Sequence, residues 1–168
     1  MKSLIKPVGI VALLGLVATA GWFAFGQHAP APDVAVTRLD GQTLNTGALR
    51  GKVVFVNFWA TTCTTCVKEM PEVVATYRKY ADQGFETLAV AMSYDNPAWV
   101  RDYKERAGLP FTVAQDLSGK AAEAFGDVRL TPTSYLIDRK GRIVQSFLGE
   151  PKWDSLHAQI ERLLAEPA

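Results

Sequence analysis

Cys63 and Cys66 are the only cysteines in this chain, and they close the run Trp59-Ala60-Thr61-Thr62-Cys63-Thr64-Thr65-Cys66. Two thiols three positions apart at a helix start share one turn, so they can form a small, reversible disulfide. Neither has another partner within the monomer. Closing so short a loop removes little chain entropy, which makes a stabilising staple the weaker reading. Redox chemistry is the stronger one. Glu69 follows Cys66 by three residues, within side-chain reach on the same helix.

The neighbouring segments must hold that pair. Val53 to Phe58 is a nearly continuous β-branched and aromatic run, the pattern of a central strand covered on both faces. A helix is predicted from Cys63 to about Asp82, with Val67, Met70, Val74 and Tyr77 inward and a kink at Pro71. Gly84 stops it, and Phe85 to Met92 reads as a second core strand. Upstream, Val34 to Asn45 forms an N-terminal hairpin about Asp40-Gly41. Downstream come a helix begun by Asp95-Asn96-Pro97 and running to about Ala107, a short strand at Phe111 to Val113 and a short helix capped by Ser118. A hairpin then spans Ser134 to Phe147, before a last helix from Trp153 to Leu164. Trp59 is expected beside the active turn with some exposure. Trp99 and Trp153 are expected in helix–core packing, and His157 on the surface or in packing. The order predicts an α/β domain whose mixed sheet carries helices on both faces.

With 18 basic and 17 acidic residues, and no basic block, nucleic acid is a poor candidate partner. The first residues set the address. Lys2 and Lys6 precede Pro7 to Phe25, nineteen uncharged residues that approach the thickness of a bilayer's hydrocarbon core. Residues 1–26 are therefore expected to form one N-terminal transmembrane anchor, with the remainder outside the cytoplasm. The rival is a cleaved signal peptide ending at Ala18-Thr19-Ala20, but the apolar run continues past that point. Residues 27–33 read as a Pro/Ala linker of roughly 20 Å if extended, and His28 as a solvated residue within it. The domain is placed at 34–168.

Phe55-Val56-Asn57-Phe58-Trp59-Ala60, Cys63-x-x-Cys66-x-x-Glu69-x-Pro71 and Leu130-Thr131-Pro132-Thr133-Ser134-Tyr135-Leu136-Ile137-Asp138 resemble the thioredoxin superfamily. The closest resemblance is to its membrane-tethered TlpA, ResA and CcmG-like branch, from about Val34 to Leu164. The resemblance implies a thioredoxin-like fold with a central α/β insertion near Asn96 to Asp116. It also implies a cis-proline loop at Thr131-Pro132 that faces the cysteines and orients substrate. In ResA-like relatives the glutamate matching Glu69 influences the protonation of the pair, and here it could take the proton of Cys66. Asn57 stands where cytoplasmic thioredoxins bury an aspartate. Read physically, Cys63 at the helix N-terminus is the attacking thiolate, and Cys66 resolves the mixed disulfide. Thr64-Thr65 departs from relatives with proline before the second cysteine, so the Thr65 N–H is free to reach Cys63. Thr62 departs from the usual tryptophan.

The expected function is an extracytoplasmic protein-disulfide oxidoreductase that reduces disulfides in periplasmic proteins. Apocytochrome c before haem attachment is one substrate the resemblance suggests. A membrane donor of the DsbD/CcdA type would recharge it. No organic cofactor or metal is called for, since the dithiol stores the electrons. A periplasmic thiol oxidase and a copper metallochaperone are the alternatives; two thiolates suit Cu(I), but no histidine falls in a segment near them. A peroxidase lacks its threonine, since Ala60 stands three before Cys63.

Overall fold

The computed structural model describes residues 28–167, so the expected anchor at 1–26 lies outside the described residues. Among those described, no helix is long and apolar enough to cross a membrane. In chain order the strands are β1 (Ala35–Arg38), β2 (Thr43–Asn45), β3 (Val53–Trp59), β4 (Phe85–Ala91), β5 (Thr112–Gln115), β6 (Thr133–Ile137) and β7 (Ile143–Leu148). The helices are α1 (Thr64–Tyr80), α2 (Pro97–Ala107), α3 (Lys120–Ala124) and α4 (Trp153–Ala165).

All seven strands join one sheet in the order β2-β1-β5-β4-β3-β6-β7. β3, β4 and β5 run parallel; β6 lies antiparallel beside β3, and β1 antiparallel beside β5. The N-terminal hairpin thus extends the sheet at the edge opened by the insertion. Every residue of β3 is buried, as its unbroken apolar pattern requires. Side chains alternate along it. Val53, Phe55 and Trp59 enter the core formed with α1 and α4, while Val54, Val56 and Phe58 enter the core on the opposite face. There the ring of Phe58 meets those of Phe125 and Tyr135 edge-on. By the same alternation Asn57 faces α1.

Several local expectations need correction. The buried stripe of α1 is Cys66, Glu69, Met70, Val73, Thr76 and Tyr80, whereas Val67 is exposed and Val74 and Tyr77 only half-buried. The helix is rotated because two polar side chains in the stripe find partners: Asn57 for Glu69 and His157 for Thr76. As expected, Pro71 lies inside α1, exposed on its outer side. Gly119 occupies the N-cap position of the short helix α3, while the Ser118 hydroxyl accepts the N–H of Lys120 at 3.4 Å and buried Asp116 accepts the N–H of Ala122. Trp99 is exposed, because α2 turns Val100 inward instead.

The segment expected to act as a spacer is partly docked. Ala31 donates to the Gly141 carbonyl, and Ile143 donates to the Ala29 carbonyl, each at 2.8 Å. Pro32 and Val34 are tied to the Thr46 hydroxyl. Ordered structure therefore begins ahead of residue 34, at the sheet end where Arg139 donates to the carbonyls of Gly51, Gln83 and Leu164.

Candidate active site

β3 and β4 both end at the opposite pole, and the chain leaving β3 turns at once into α1. Cys63 N–H donates to the Ala60 carbonyl at 3.1 Å, closing that turn. Cys63 then caps the 17-residue helix α1, where unpaired N–H groups and the dipole favour an anion. The two cysteines are disulfide-bonded, with their Cα atoms 5.2 Å apart. Cys63 is half-buried, whereas Cys66 is fully enclosed. A solvent-borne reagent therefore reaches one sulfur first.

The Cys63 sulfur lies 3.2 Å from the Cys66 backbone nitrogen, which donates to it. In this disulfide form it is the Cys66 N–H, rather than the Thr65 N–H expected from the sequence, that reaches the sulfur. On its other side the same sulfur sits 3.4 Å from the Thr131 carbonyl oxygen. The Thr131–Pro132 peptide is cis, Pro132 is buried, and β6 begins immediately after it. Pairing of β6 with β3, register Phe58↔Thr133, carries this loop to the sulfur.

Glu69 is enclosed at 1% exposure, and so is not a solvated helix carboxylate. Its Oε1 accepts from Asn57 Nδ2 at 3.0 Å. Burial raises its pKa to about 7; the Asn57 bond partly opposes that rise, and the charge of Glu150 adds to it. A carboxyl poised near neutrality, one turn beyond Cys66 on the same buried face, can both accept and return a proton.

The sequence places Asp95 only at a helix start. It is buried, and its carboxylate accepts from the Thr61 N–H and hydroxyl, each at 2.6 Å. Its backbone carbonyl accepts from Gln115 on β5 at 2.6 Å. The mouth of the insertion thereby grips the turn that presents Cys63. A signal was present in Asp95-Asn96-Pro97, but Asn96 is the actual cap of α2, which leaves the aspartate free to bond elsewhere. The insertion also explains Trp59, which is fully buried rather than partly exposed, because Tyr103 from α2 covers it at 5.2 Å between ring centroids.

His157, in the first half of α4, bonds Thr76 at 2.9 Å; His28 is exposed. Among the described residues, no three His, Cys, Asp or Glu side chains gather as a metal set.

Residues 26–164 match the Redoxin family. The thiol-disulfide oxidoreductase ResA of Bacillus thuringiensis is 35% identical over 93% of this chain and 88% of its own length. ResA of Geobacillus thermodenitrificans is 32% identical over 92% and 90%. A solved thiol:disulfide interchange protein of the thioredoxin family from Chlorobium tepidum superposes with a TM-score of 0.75. It is 26% identical, covering 83% of this chain and 99% of that one. The chain belongs to the redoxin family, as a ResA-like protein-disulfide oxidoreductase of the thioredoxin superfamily.

Proposed function

We propose that this oxidoreductase works outside the cytoplasmic membrane and runs in the reductive direction. Its substrates are disulfides in extracytoplasmic proteins, apocytochrome c among them, and a membrane donor of the DsbD/CcdA type returns it to the dithiol. The Cys63 thiolate attacks a substrate disulfide, forming a mixed disulfide and releasing one substrate thiolate. Cys66 passes its proton to Glu69 and attacks the Cys63 sulfur, releasing the second thiolate. Two electrons move to the substrate, and the protein is left with the 63–66 disulfide. Thr131-Pro132 holds the substrate backbone against Cys63.

One observation carries this reading: a half-exposed sulfur at a helix N-terminus, 3.2 Å from a backbone donor, bonded to a sulfur that is fully enclosed. Attack and resolution are thereby divided between the two cysteines. The uncharged span at residues 7–25 supports the address. The described chain enters at the pole opposite the disulfide, so an anchor there would present Cys63 away from the membrane.

Cys66→Ser, expressed in the native compartment, should accumulate mixed disulfides on Cys63 with extracytoplasmic proteins, identifiable by mass. If no protein is captured, the protein-substrate reading fails. The wild-type pair should also be mainly reduced when cells are quenched with acid and alkylated. A fully oxidised pool would instead fit the thiol oxidase.

A further inference from the structure

The buried amide of Asn57 bridges two elements of the site. Its Nδ2 donates to Glu69 Oε1 on α1 at 3.0 Å and to Ser134 Oγ on β6 at 2.9 Å. All three residues are at most 1% exposed. Asn57 and Ser134 are direct partners in the β3–β6 register, and Ser134 follows the cis-proline by two residues. Asn57 Oδ1 and Glu69 Oε2 have no hydrogen-bond partner among the described residues. Unsatisfied buried polar atoms are costly, so a pair of them in one contact points to a second arrangement.

A carboxylate only accepts hydrogen bonds, whereas a neutral carboxyl also donates one. The amide has both faculties. As arranged, one of its N–H groups serves ionised Glu69 and the other serves Ser134. Turned end for end, its Oδ1 would accept the O–H of neutral Glu69 and the hydroxyl hydrogen of Ser134. We propose that Asn57, oriented by Ser134 on the strand after the cis-proline, is the positioning residue that lets Glu69 both hold and release a proton while enclosed. The proposal rests on the reading of Glu69 as proton carrier for Cys66. The other charged group facing Glu69 is Glu150, between β7 and α4, which favours the neutral carboxyl. In the reduced protein the thiols of Cys63 and Cys66 are the remaining titratable groups of the site.

The test uses the whole chain in two measurements. The Glu69 carboxyl is titrated by carbon-13 NMR in the oxidised protein, assigned with Glu69→Gln. Asn57→Ala removes a bond from both forms, but the bond to the ionised carboxylate is roughly twice as strong as that to the neutral carboxyl, so the midpoint should rise by about one pH unit. That lowers the ionised fraction at pH 7 about fivefold. Ser134→Ala, a smaller cavity should Asn57→Ala not fold, should move the midpoint the same way by a lesser amount. Second, reduced protein is mixed with an aromatic disulfide that reports each released thiolate by absorbance. The first release reports attack by Cys63 and the second reports resolution by Cys66. The pH profile of the second release should shift upward with the Glu69 midpoint, while that of the first stays in place. A midpoint unmoved in the folded variants overturns the inference. A moved midpoint with an unmoved second release upholds the role of Asn57 and instead overturns Glu69 as the proton carrier.

Discussion

At the scale of single residues, one buried carboxyl leaves a mark on stability as well as on chemistry. Glu69 titrates near pH 7 when folded, against an ordinary value of 4.5. Below about pH 4.5 it is neutral in both states, and its contribution to folding is fully present. Between about pH 4.5 and 7 the unfolded chain has released this proton while the enclosed group still holds it, and about 3 kcal/mol of relative stability is lost by the time the folded group ionises. Glu69→Gln should therefore stabilise the oxidised domain at pH 8 by about 2 kcal/mol or more, and change it little at pH 4. Urea unfolding at the two pH values checks this; equal effects at both would place Glu69 in contact with solvent. The glutamate was visible in the sequence by its spacing from Cys66, but its enclosure was not. Burial depends on how α1 rotates against β3, and apolar spacing at Val67, Val74 and Tyr77 pointed to a different face.

Among the elements, the sequence carried type and order well where a single force dominates. β3 was legible because a strand covered on both faces must be apolar throughout, and the hairpin turn at Asp40-Gly41 because few residues accept a positive φ there. What stayed hidden depends on contacts distant in the chain. Asp95 reaches Thr61 across 34 positions, and Trp59 is covered by a residue of the insertion; neither leaves a local pattern. The grip of Asp95 makes the insertion part of the active-site scaffold. Asp95→Ala removes the acceptor of two 2.6 Å bonds from Thr61 and should cost about 3 kcal/mol in urea unfolding. It should also slow the attack of Cys63 on a small disulfide. A loss below about 0.5 kcal/mol, in the range of ordinary surface changes, would show that the clasp contributes nothing.

Across the whole molecule, the parallel strands send their connections to one pole, where the disulfide, the Asp95 clasp and the cis-proline meet. The large hydrophobic side chains left exposed among the described residues are Val67, Tyr94, Trp99, Leu117, Leu130 and Leu148. Topology places every one of them at that same pole: in the first turns of α1 and α2, after β4 and β5, before β6 and at the end of β7. Exposed apolar side chains gathered around a reactive group suit a polypeptide substrate. Replacing Tyr94 and Trp99 together by serine should leave stability within about 0.5 kcal/mol. It should lower the rate on an unfolded protein disulfide severalfold, with no change on a small aromatic disulfide. Equal loss on both substrates would refute a docking role. The division of labour between the cysteines is tested most directly by treating the reduced protein with less than one equivalent of iodoacetamide at pH 7. Peptide mapping then counts the label at each site. The account expects Cys63 to carry at least about ten times the label of Cys66, as an accessible thiolate beside an enclosed thiol should. Equal labelling, or preference for Cys66, would contradict it.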